Sequence, residues 1–468
     1  MHIVNKGKML AAAAAVGLFA GSASAVPVTG LVYHLDAGKG VTLSGGNVAQ
    51  WNDQSGNGRN FSQGTAAKQP LFVANNAAFN NKATIRFDGN EAGASGDPLI
   101  RPNTDALVLS SSVTARTVFI VNSTSRHEGL DGIWGINDAD KGIRRENSTT
   151  WQNPGDANDF SNGGTFQVND ANTDAAALNT KHIVTATKAA GLVMPTTNIG
   201  DYFQVGSNAS RSWQGDVAEV IAYDRVLTAR EIHQVNGELG LKYGIAVKPG
   251  FVIAGPIGRD LTDPEQDGND TLPYNPGAGQ FAGFNATFTS NNAPGFGPGE
   301  TSFNAFDNKI GAVGGADPNK SKWCCTGPST GLPLLQLDAR IQGNPNFLTS
   351  FTLTSSNDTP ARDPLNFSIL GSNDGVNFDT IFAYNNAFGN LFTARDQTLV
   401  FEAGVDFAAV TKAYSIFRYQ VAGTGGANHA IAEIEYFGFA IPEPMTAGLT
   451  MMMLGALSIR TGRRSRQA

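Results

Sequence analysis

The residues best suited to chemistry in this sequence are the acids around position 220. Asp216 and Glu219 stand three positions apart in the run DVAEVIAY. Hydrolysis of a glycosidic bond uses two carboxyl groups that face one substrate. Side chains three positions apart on a regular strand point to opposite faces of the sheet. We therefore predict that these acids do not form a catalytic pair and that Glu219 is a structural residue.

Three tryptophans are the residues best suited to contact with a sugar, because ligand sites are often lined by aromatic rings. Trp134 and Trp151 lie in Gly- and Asn-rich sequence of the kind that forms loops. Trp213 lies beside the strand that carries Asp216, so we predict that it belongs to the core. Trp134 and Trp151 remain candidate ligand-binding residues, and the alternative for both is a structural role.

The composition favours a folded, loop-rich all-β protein. The 468 residues suggest two domains, and they include 55 Gly, 21 Pro and 9% aromatic residues. Lys and Arg total 33 against 40 Asp and Glu. Six of the basic residues and one acid, Glu443, lie in the two end segments, which leaves 27 basic against 39 acidic residues in the body. An acidic body repels polyanions, so we expect no binding of nucleic acid.

The first 25 residues have the three parts of a secretory signal peptide. Lys6 and Lys8 precede an apolar run over residues 9–20, and the small residues GSASA end at Ala25. A charged start, an apolar centre and an A-x-A cleavage site define such a leader. We predict that residues 1–25 are removed after Ala25 during export.

The C-terminal residues 441–468 also have three parts. Pro442, Glu443 and Pro444 precede an apolar run over residues 445–459, and the chain ends with the basic residues Arg460, Arg463, Arg464 and Arg466. The apolar run has about 15 residues, shorter than the ~20 that cross a bilayer comfortably. The arginines that follow it are expected to stay on the cytoplasmic side.

These three parts in this order resemble the PEP-CTERM sorting signal. The resemblance implies cleavage near Pro442 by an exosortase-type membrane protease, in a Gram-negative host that makes extracellular polysaccharide. It also implies an exported protein that reaches the cell surface or matrix through a transient inner-membrane intermediate. The alternative is a plain transmembrane tail anchor, which would be retained.

Residues 28–247 are predicted to form a β-sandwich. Short alternating apolar runs such as Thr84–Phe87 and Thr117–Val121 are separated by Gly, Asn and Asp turns. One short helix near the end is predicted from the apolar spacing of Ile232, Val235 and Leu239. Thr228 and Glu231 before that run match a capping box.

The same region contains the phrases HLDAGKG, VAQWNDQSGNGRNFSQ, ATIRFDGN and WQGDVAEVIAYDRVLTAREIHQVNGELGLKYGI. Together these phrases resemble the LamG-like, concanavalin A-type jelly roll. The resemblance spans nearly all of residues 28–247. It implies two curved antiparallel sheets that often bind carbohydrate, sometimes with calcium at an edge. The hydrolase spacing known on this fold, Glu-x-Asp-x-x-Glu, is absent from the sequence.

Residues 248–280 are predicted to be an acidic linker rich in Gly and Pro. The acids at positions 263, 265 and 267 partly match an EF-type calcium loop. Tyr274 occupies the twelfth loop position, where a bidentate Glu belongs, and no flanking helix is indicated. A solvated linker is therefore the favoured interpretation.

Residues 281–440 contain a second series of alternating runs. They include the phrases NAFDNKIG, SKW, LTSFTLTSSNDTPARDPLNFSILGSNDGVNF and YSIFRYQV. These phrases resemble a discoidin or coagulation-factor C-type domain, which is a galactose-binding-like jelly roll. The resemblance implies a structural calcium held by residues that match Asp307 and Glu433. The alternatives are an Asx turn at Asp307 and an ion pair at Glu433.

Cys324 and Cys325 are the only cysteines. Adjacent cysteines close only a strained ring, so a disulfide framework is not expected to hold the fold together. Two thiols, inert or linked to a partner, are the favoured interpretation, and a vicinal disulfide is the alternative.

Taken together, the sequence predicts an all-β protein with two tandem jelly-roll β-sandwiches between a signal peptide and a C-terminal hydrophobic sorting helix. The leading hypothesis is a non-enzymatic, surface-sorted module that binds polysaccharide or glycoconjugate, with structural calcium as its cofactor. A secreted glycoside hydrolase or lyase with an appended binding domain is one rival. A purely structural matrix protein is the other.

Overall fold

The computed structural model describes residues 26–89, 105–127, 131–136, 141–151, 160, 163–200, 212–252, 260–262, 285–291, 300–307, 310, 322–326 and 335–441. Within these ranges the chain consists of β-strands, short 3-10 turns and one α-helix, which confirms the predicted all-β class. The predicted leader (1–25) and the sorting tail from Pro442 onward lie outside the described residues. In the described part, no helix has the length and hydropathy to span a membrane.

The first half of the chain forms an antiparallel sandwich. Its strands are β1 Leu31–Asp36, β2 Val41–Ser44, β3 Asn47–Trp51, β4 Phe61–Ser62, β5 Leu71–Asn76, β6 Lys82–Asp88, β7 Leu107–Leu109, β8 Val113–Thr124, β9 Asp131–Ile136, β10 Lys141–Arg145, β11 Gly164–Val168, β12 Lys181–Met194, β13 Thr197–Ile199 and β14 Gln214–Tyr223. They pair in the order β10-β9-β13-β7-β4-β3-β5-β6-β14-β8-β12-β11, with β1 added to β14 and β2 to β3.

This pairing folds over itself so that two layers share one core. Val48 and Trp51 of β3 belong to the same buried cluster as Ile85 of β6, Ile120 of β8 and Val184 of β12. Alternation of apolar and polar residues along each strand places one apolar face inward, as the sequence pattern predicts.

Helix α1, Ala229–Tyr243, covers part of the outer face of one layer. Its first turn has the predicted capping box: Thr228 Oγ1 accepts from the Glu231 amide, and a Glu231 carboxylate oxygen accepts from the Thr228 amide at 2.9 Å. The predicted apolar stripe of Ile232, Val235 and Leu239 is buried against the sheet. Gly244 ends the helix in the left-handed conformation, at φ 63°.

The second half forms two five-stranded antiparallel sheets. Its strands are β15 Phe251–Val252, β16 Ala286–Ser290, β17 Trp323–Thr326, β18 Leu335–Ile341, β19 Asn346–Ser355, β20 Pro364–Ser372, β21 Asp379–Asn385, β22 Thr398–Glu402, β23 Ile416–Thr424 and β24 His429–Ala440. In the described residues the two orders are β15-β22-β19-β24-β17 and β16-β18-β23-β20-β21. Both sheets contribute to one aromatic-rich core, in which Phe351 and Phe401 stack at 4.5 Å.

Part of the predicted linker is instead built into the second sandwich. Phe251 and Val252 pair with β22, so the chain enters the second sandwich within a few residues of α1. Leu261 is buried in the second core, and its amide donates to the Tyr436 carbonyl at 2.7 Å. Strand pairing holds the first of these short segments, and burial of Leu261 holds the second. The acids from position 263 to 270 lie outside the described residues.

The interpretation of the cysteines as thiols is wrong for Cys324. Cys324 is fully buried in β17 and disulfide-bonded, and Cys325 is the only other cysteine of the chain. Adjacent side chains of a regular strand point to opposite faces. The pairing of β17 with β24 shifts register between Cys324 and Thr326, so this part of the strand departs from regular geometry.

Replacing Thr228 by Ala should lower the free energy of unfolding by about 0.5–2 kcal/mol, because the amide of Glu231 loses its acceptor at the start of α1. Urea unfolding followed by circular dichroism measures the loss. Thr228→Ser, which keeps the hydroxyl, is the control and should stay close to the parent. Equal losses in both variants would mean that the cap contributes through its shape and not through its hydrogen bond.

Candidate functional site

Five neighbouring strands of the first sandwich carry a row of side chains across the outer face of one layer. The strand register aligns Leu71 with Arg86 and Arg86 with Asp216. It continues from Asp216 to Ser123 and from Ser123 to Lys181. Residues directly opposite each other on adjacent strands share a face and lie within contact distance. The row is therefore a continuous, mostly polar strip.

The strip lies where α1 leaves the outer face uncovered. Beneath the helix the same layer presents Phe119, Ile183 and Ile221, which are buried with the helix stripe. Toward the other end of these strands the outward residues become polar, and a cleft of about 920 Å³ opens. Besides the row, the cleft is lined by side chains that include Asn47, Gln69, Asp88, Asp105, Thr124, Asn179 and Gln214.

Arg86 and Asp216 form the centre of the strip. Arg86 Nε and Nη2 donate to the two Asp216 oxygens at 3.0 Å each, and Asn76 and Thr84 also donate to this carboxylate. The hydrogen bonds to Asp216 raise the pKa of the Arg86 guanidinium. Asp216 is thus saturated with donors, whereas the Arg86 side chain remains 49% exposed to the cleft.

Asp88 and Asp105 form a second acidic feature of the cleft. The Asp88 amide donates to Asp105 Oδ2 at 3.1 Å, and the two carboxyl groups also interact. Burial, together with the negative charge of Asp88, raises the pKa of Asp105 to about 7. Two carboxyl groups in hydrogen-bond contact are too close to flank a scissile glycosidic bond, which needs roughly 5–9.5 Å between them.

Sequence reasoning missed this pair because 17 positions separate the two acids. The sequence does contain a signal for Asp88, one of the two acids. Arg86 and Asp88 are two apart on β6, so they share the face that Asp216 opposes. Asp105 is not on a strand, and only the folded chain brings it to Asp88.

The prediction that Asp216 and Glu219 point to opposite faces is wrong. The pairing of β14 with β8 shifts register between Val217 and Glu219, which marks a β-bulge at Ala218. The extra residue returns Glu219 to the outer face. Val217 and Val220 remain in the core between the layers, whereas Ala218 packs on the helix side.

Although they share a face, the two acids serve separate networks. Glu219 is 3% exposed, and its oxygens lie 2.5 Å from His34 Nε2, 2.6 Å from Lys242 Nζ and 2.7 Å from the Tyr243 hydroxyl. Burial alone would raise the pKa of Glu219, but the His34 hydrogen bond and the Lys242 charge outweigh it and lower the pKa. Glu219 thereby joins β14 to β1 and to the end of α1.

Trp134 and Trp151 do not present ring faces to a ligand, which corrects the sequence-based candidates. Both are fully buried, because their side chains fill the space between the layers. Trp134 Nε1 donates to the Tyr33 hydroxyl at 2.6 Å. Trp151 stacks on Trp213 with ring centroids 5.5 Å apart, and the prediction that Trp213 belongs to the core is confirmed.

Asp307 and Glu433, the predicted calcium ligands, are both buried. Asp307 ends the 3-10 turn Ser302–Phe306, and that turn packs against β24, which carries Glu433. Two buried carboxylates on adjoining elements suit a hard cation. Among the described residues, no group of three or more His, Cys, Asp and Glu side chains could hold a metal. Further ligands would therefore have to come from main-chain, amide or hydroxyl oxygens, from water, or from residues outside the described ranges.

No protein family model matches the chain, and no curated protein matches it. Solved structures with partial likeness include carbohydrate-binding modules. A CBM32 module from Clostridium perfringens in complex with GalNAc-β-1,3-galactose is 15% identical over 33% of this chain and 95% of its own, with a TM-score of 0.25. A chitosan-binding module of a Paenibacillus chitosanase/glucanase is 17% identical over 33% and 96%, with a TM-score of 0.23.

A family 32 carbohydrate-binding module from C. perfringens in complex with galactose is 15% identical over 32% of this chain and 93% of its own, with a TM-score of 0.24. Likenesses of this extent assign no ligand to the chain, so its chemistry must be argued from its own residues.

Replacing Glu219 by Gln should lower the free energy of unfolding by about 1–3 kcal/mol at pH 7, since Lys242 loses one of its two buried counter-charges and keeps only Asp36. The folded pKa of Glu219 lies below its ordinary 4.5, so the stabilisation is present above that pH and is lost as the pH falls through the folded pKa. Denaturant titrations at pH 7 and in acid should show this difference shrinking.

The control for this experiment is Asp379→Asn, which removes one charge of an exposed ion pair with Lys412 and should change stability little. If Glu219→Gln left stability unchanged but abolished a polysaccharide hydrolysis, the structural role would be wrong and a catalytic one right.

Proposed function

We propose that this chain is an exported, non-enzymatic carbohydrate-binding protein and that the cleft of the first sandwich is a binding site. The observation that carries the proposal is the polar strip centred on Arg86, which the register of five strands builds at the uncovered end of the sheet. A site placed on paired strands is held rigidly, and rigid positioning of polar groups is what sugar recognition needs.

The side chains of the cleft match the chemistry of sugar hydroxyl groups. Carboxylates such as Asp88 accept hydrogen bonds, the Arg86 guanidinium donates them, and the amide of Gln214 does both. Hydrogen bonds that involve a charged partner are shorter and stronger than neutral ones. A cleft of about 920 Å³ accommodates a short stretch of polysaccharide.

Within the part of the first sandwich that the structure describes, four acids support binding over hydrolysis. Asp216 is saturated by its donors, Glu219 is buried in a separate network, and Asp88 and Asp105 are in direct contact. None of these arrangements leaves two carboxyl groups on either side of a glycosidic bond. A hydrolase or lyase activity is therefore the alternative, and release of reducing sugar from a bound polysaccharide would reveal it.

The predicted leader and the predicted sorting tail support a location outside the cell. We propose removal of the leader after Ala25 and sorting through Pro442-Glu443-Pro444, the apolar run and the terminal arginines, with an exosortase-type protease as the processing partner. The mature body would then stand at the cell surface or in the matrix, where polysaccharide is the expected partner.

Calcium is the proposed structural cofactor, held in part by Asp307 and Glu433. Its role would be to neutralise two buried carboxylates where the turn Ser302–Phe306 meets β24. A cation there would stabilise the second sandwich and would take no part in any reaction.

Replacing Arg86 or Asp88 by Ala should weaken binding to a polysaccharide ligand by about 10- to 100-fold, the value of one charge-assisted hydrogen bond. A glycan array that includes galactosides and chitosan identifies the ligand, and calorimetry then measures the affinity. Arg340→Ala removes an exposed arginine from β18 of the second sandwich and is the matched control for the cleft.

Three further outcomes of this experiment are decisive. Binding that survives both cleft variants but is lost on calcium chelation would place the site in the second sandwich. Release of reducing sugar from the bound polysaccharide would make the protein an enzyme. Absence of binding to every glycan of the panel would favour a purely structural matrix protein.

Mass spectrometry of the mature protein from its native cell surface should show a first residue of Val26 and an end near Pro442, because both end segments are expected to be cleaved. Substituting Pro442, Glu443 and Pro444 together should block the C-terminal cut and leave the N-terminal one unchanged. A mature chain that still ends at Ala468 would mean that the tail is retained as an anchor.

A further inference from the structure

His233 of α1 lies between the two sandwiches and contacts a carboxylate of each. His233 Nδ1 is 2.6 Å from Asp170 Oδ2, in the turn that follows β11 of the first sandwich. His233 Nε2 is 3.1 Å from Asp406 Oδ1, in the loop that follows β22 of the second sandwich. The His233 side chain is only 2% exposed and that of Asp406 only 1%.

This geometry specifies the charge of the ring. Only the imidazolium form donates from both nitrogens, and both nitrogens here face carboxylates. Burial by itself would lower the pKa of His233, but the charges and hydrogen bonds of Asp406 and Asp170 outweigh it and raise the pKa to about 10. A buried charge paired with two carboxylates is costly to separate, since each partner would be left unpaired.

Other contacts between the sandwiches surround this triad. Arg230 Nη2 donates to Glu402 Oε1 at 2.6 Å, and from the segment that connects the sandwiches the Gly250 amide donates to Asp406 Oδ1 at 2.6 Å. Gly237 approaches the second sandwich so closely that an added Cβ would lie 2.6 Å from the Val405 carbonyl oxygen.

Helical spacing explains why these residues act together. Arg230, His233 and Gly237 are three and four positions apart, so they form one stripe along α1. The stripe of Ile232, Val235 and Leu239 faces the first sandwich instead. One helix thus carries two contact faces, an apolar one for its own sheet and a charged one for the neighbouring sandwich.

We propose that His233, as an imidazolium between Asp170 and Asp406, locks the two sandwiches into one rigid body. The lock fixes the orientation of the cleft in the first sandwich relative to the whole of the second. It does not depend on what the cleft binds.

The groups around the ring determine the pH range of the lock. Asp170 is held by Asn236 of the helix, Asp406 also accepts from the Glu402 amide, and Arg230 with Glu402 adds a neighbouring ion pair. Lys248 lies close by, with its amide on the Asn169 carbonyl. Since the folded pKa of His233 is raised, its contribution is complete below the ordinary pKa of 6.5 and is lost as the pH rises through about 10.

The first test is an NMR titration of the His233 ring in the full mature chain. The ring should stay protonated at pH 8 and titrate at about pH 10. In Asp406→Asn the midpoint should move down by at least one unit, because one carboxylate is gone. A midpoint near 6.5 in the parent chain would overturn the proposal.

The second test measures the docking itself by small-angle X-ray scattering at pH 7. His233→Gln should increase the radius of gyration and give the profile of two bodies that move independently, and the parent chain should change in the same way only above about pH 10. Arg225→Gln, which breaks the Arg225–Glu231 pair within the first sandwich at the same end of α1, is the control and should leave the profile unchanged.

Circular dichroism separates undocking from unfolding, because an undocked variant keeps both sandwiches folded. If His233→Gln does not fold, Asp406→Asn takes its place in the scattering measurement, since asparagine keeps the size and an acceptor oxygen. A folded His233→Gln variant with the parent profile would show that the other contacts suffice and that His233 is no lock.

Discussion

The packing of α1 on the outer face of the first sandwich is the interaction on which the other features depend. A β-sandwich buries only the inner face of each layer, so an apolar stripe outside needs a cover. The helix supplies it with Ile232, Val235 and Leu239 over Phe119 and Ile221. The 15-residue helix covers only part of that outer face, and the cleft lies on the polar part that it leaves uncovered.

Buried charges fix this helix at both ends, and each end shows how desolvation is balanced. At the C-terminal end Glu219 meets Lys242, Tyr243 and His34, and the hydrogen bonds and opposite charge outweigh the cost of burial. Toward the N-terminal end His233 meets two carboxylates with the same result. Asp105 is the contrasting case, because burial raises its pKa and the like charge of its close neighbour Asp88 raises it further.

The fold could be predicted because its signals are local. Alternating strands, Gly and Asn turns and the capping box of Thr228 and Glu231 all act within a few residues. The site could not be predicted, because its geometry depends on contacts between distant residues and on irregular strand geometry. The bulge at Ala218 turns the Glu219 side chain to the opposite face of the sheet. Asp105 contacts Asp88 although 17 positions separate them. Trp134 lies in Gly-rich sequence but is part of a core strand.

The second sandwich begins earlier in the sequence than the composition predicts. Gly and Pro before position 260 are typical of a linker, yet Phe251 and Val252 pair with β22, and Leu261 is buried in the second core. The short segment 244–250 between α1 and β15 keeps the two bodies near each other even when they are not docked. The charged stripe of α1 then acts on surfaces that are already near each other, so a single buried imidazolium can decide whether they stay docked.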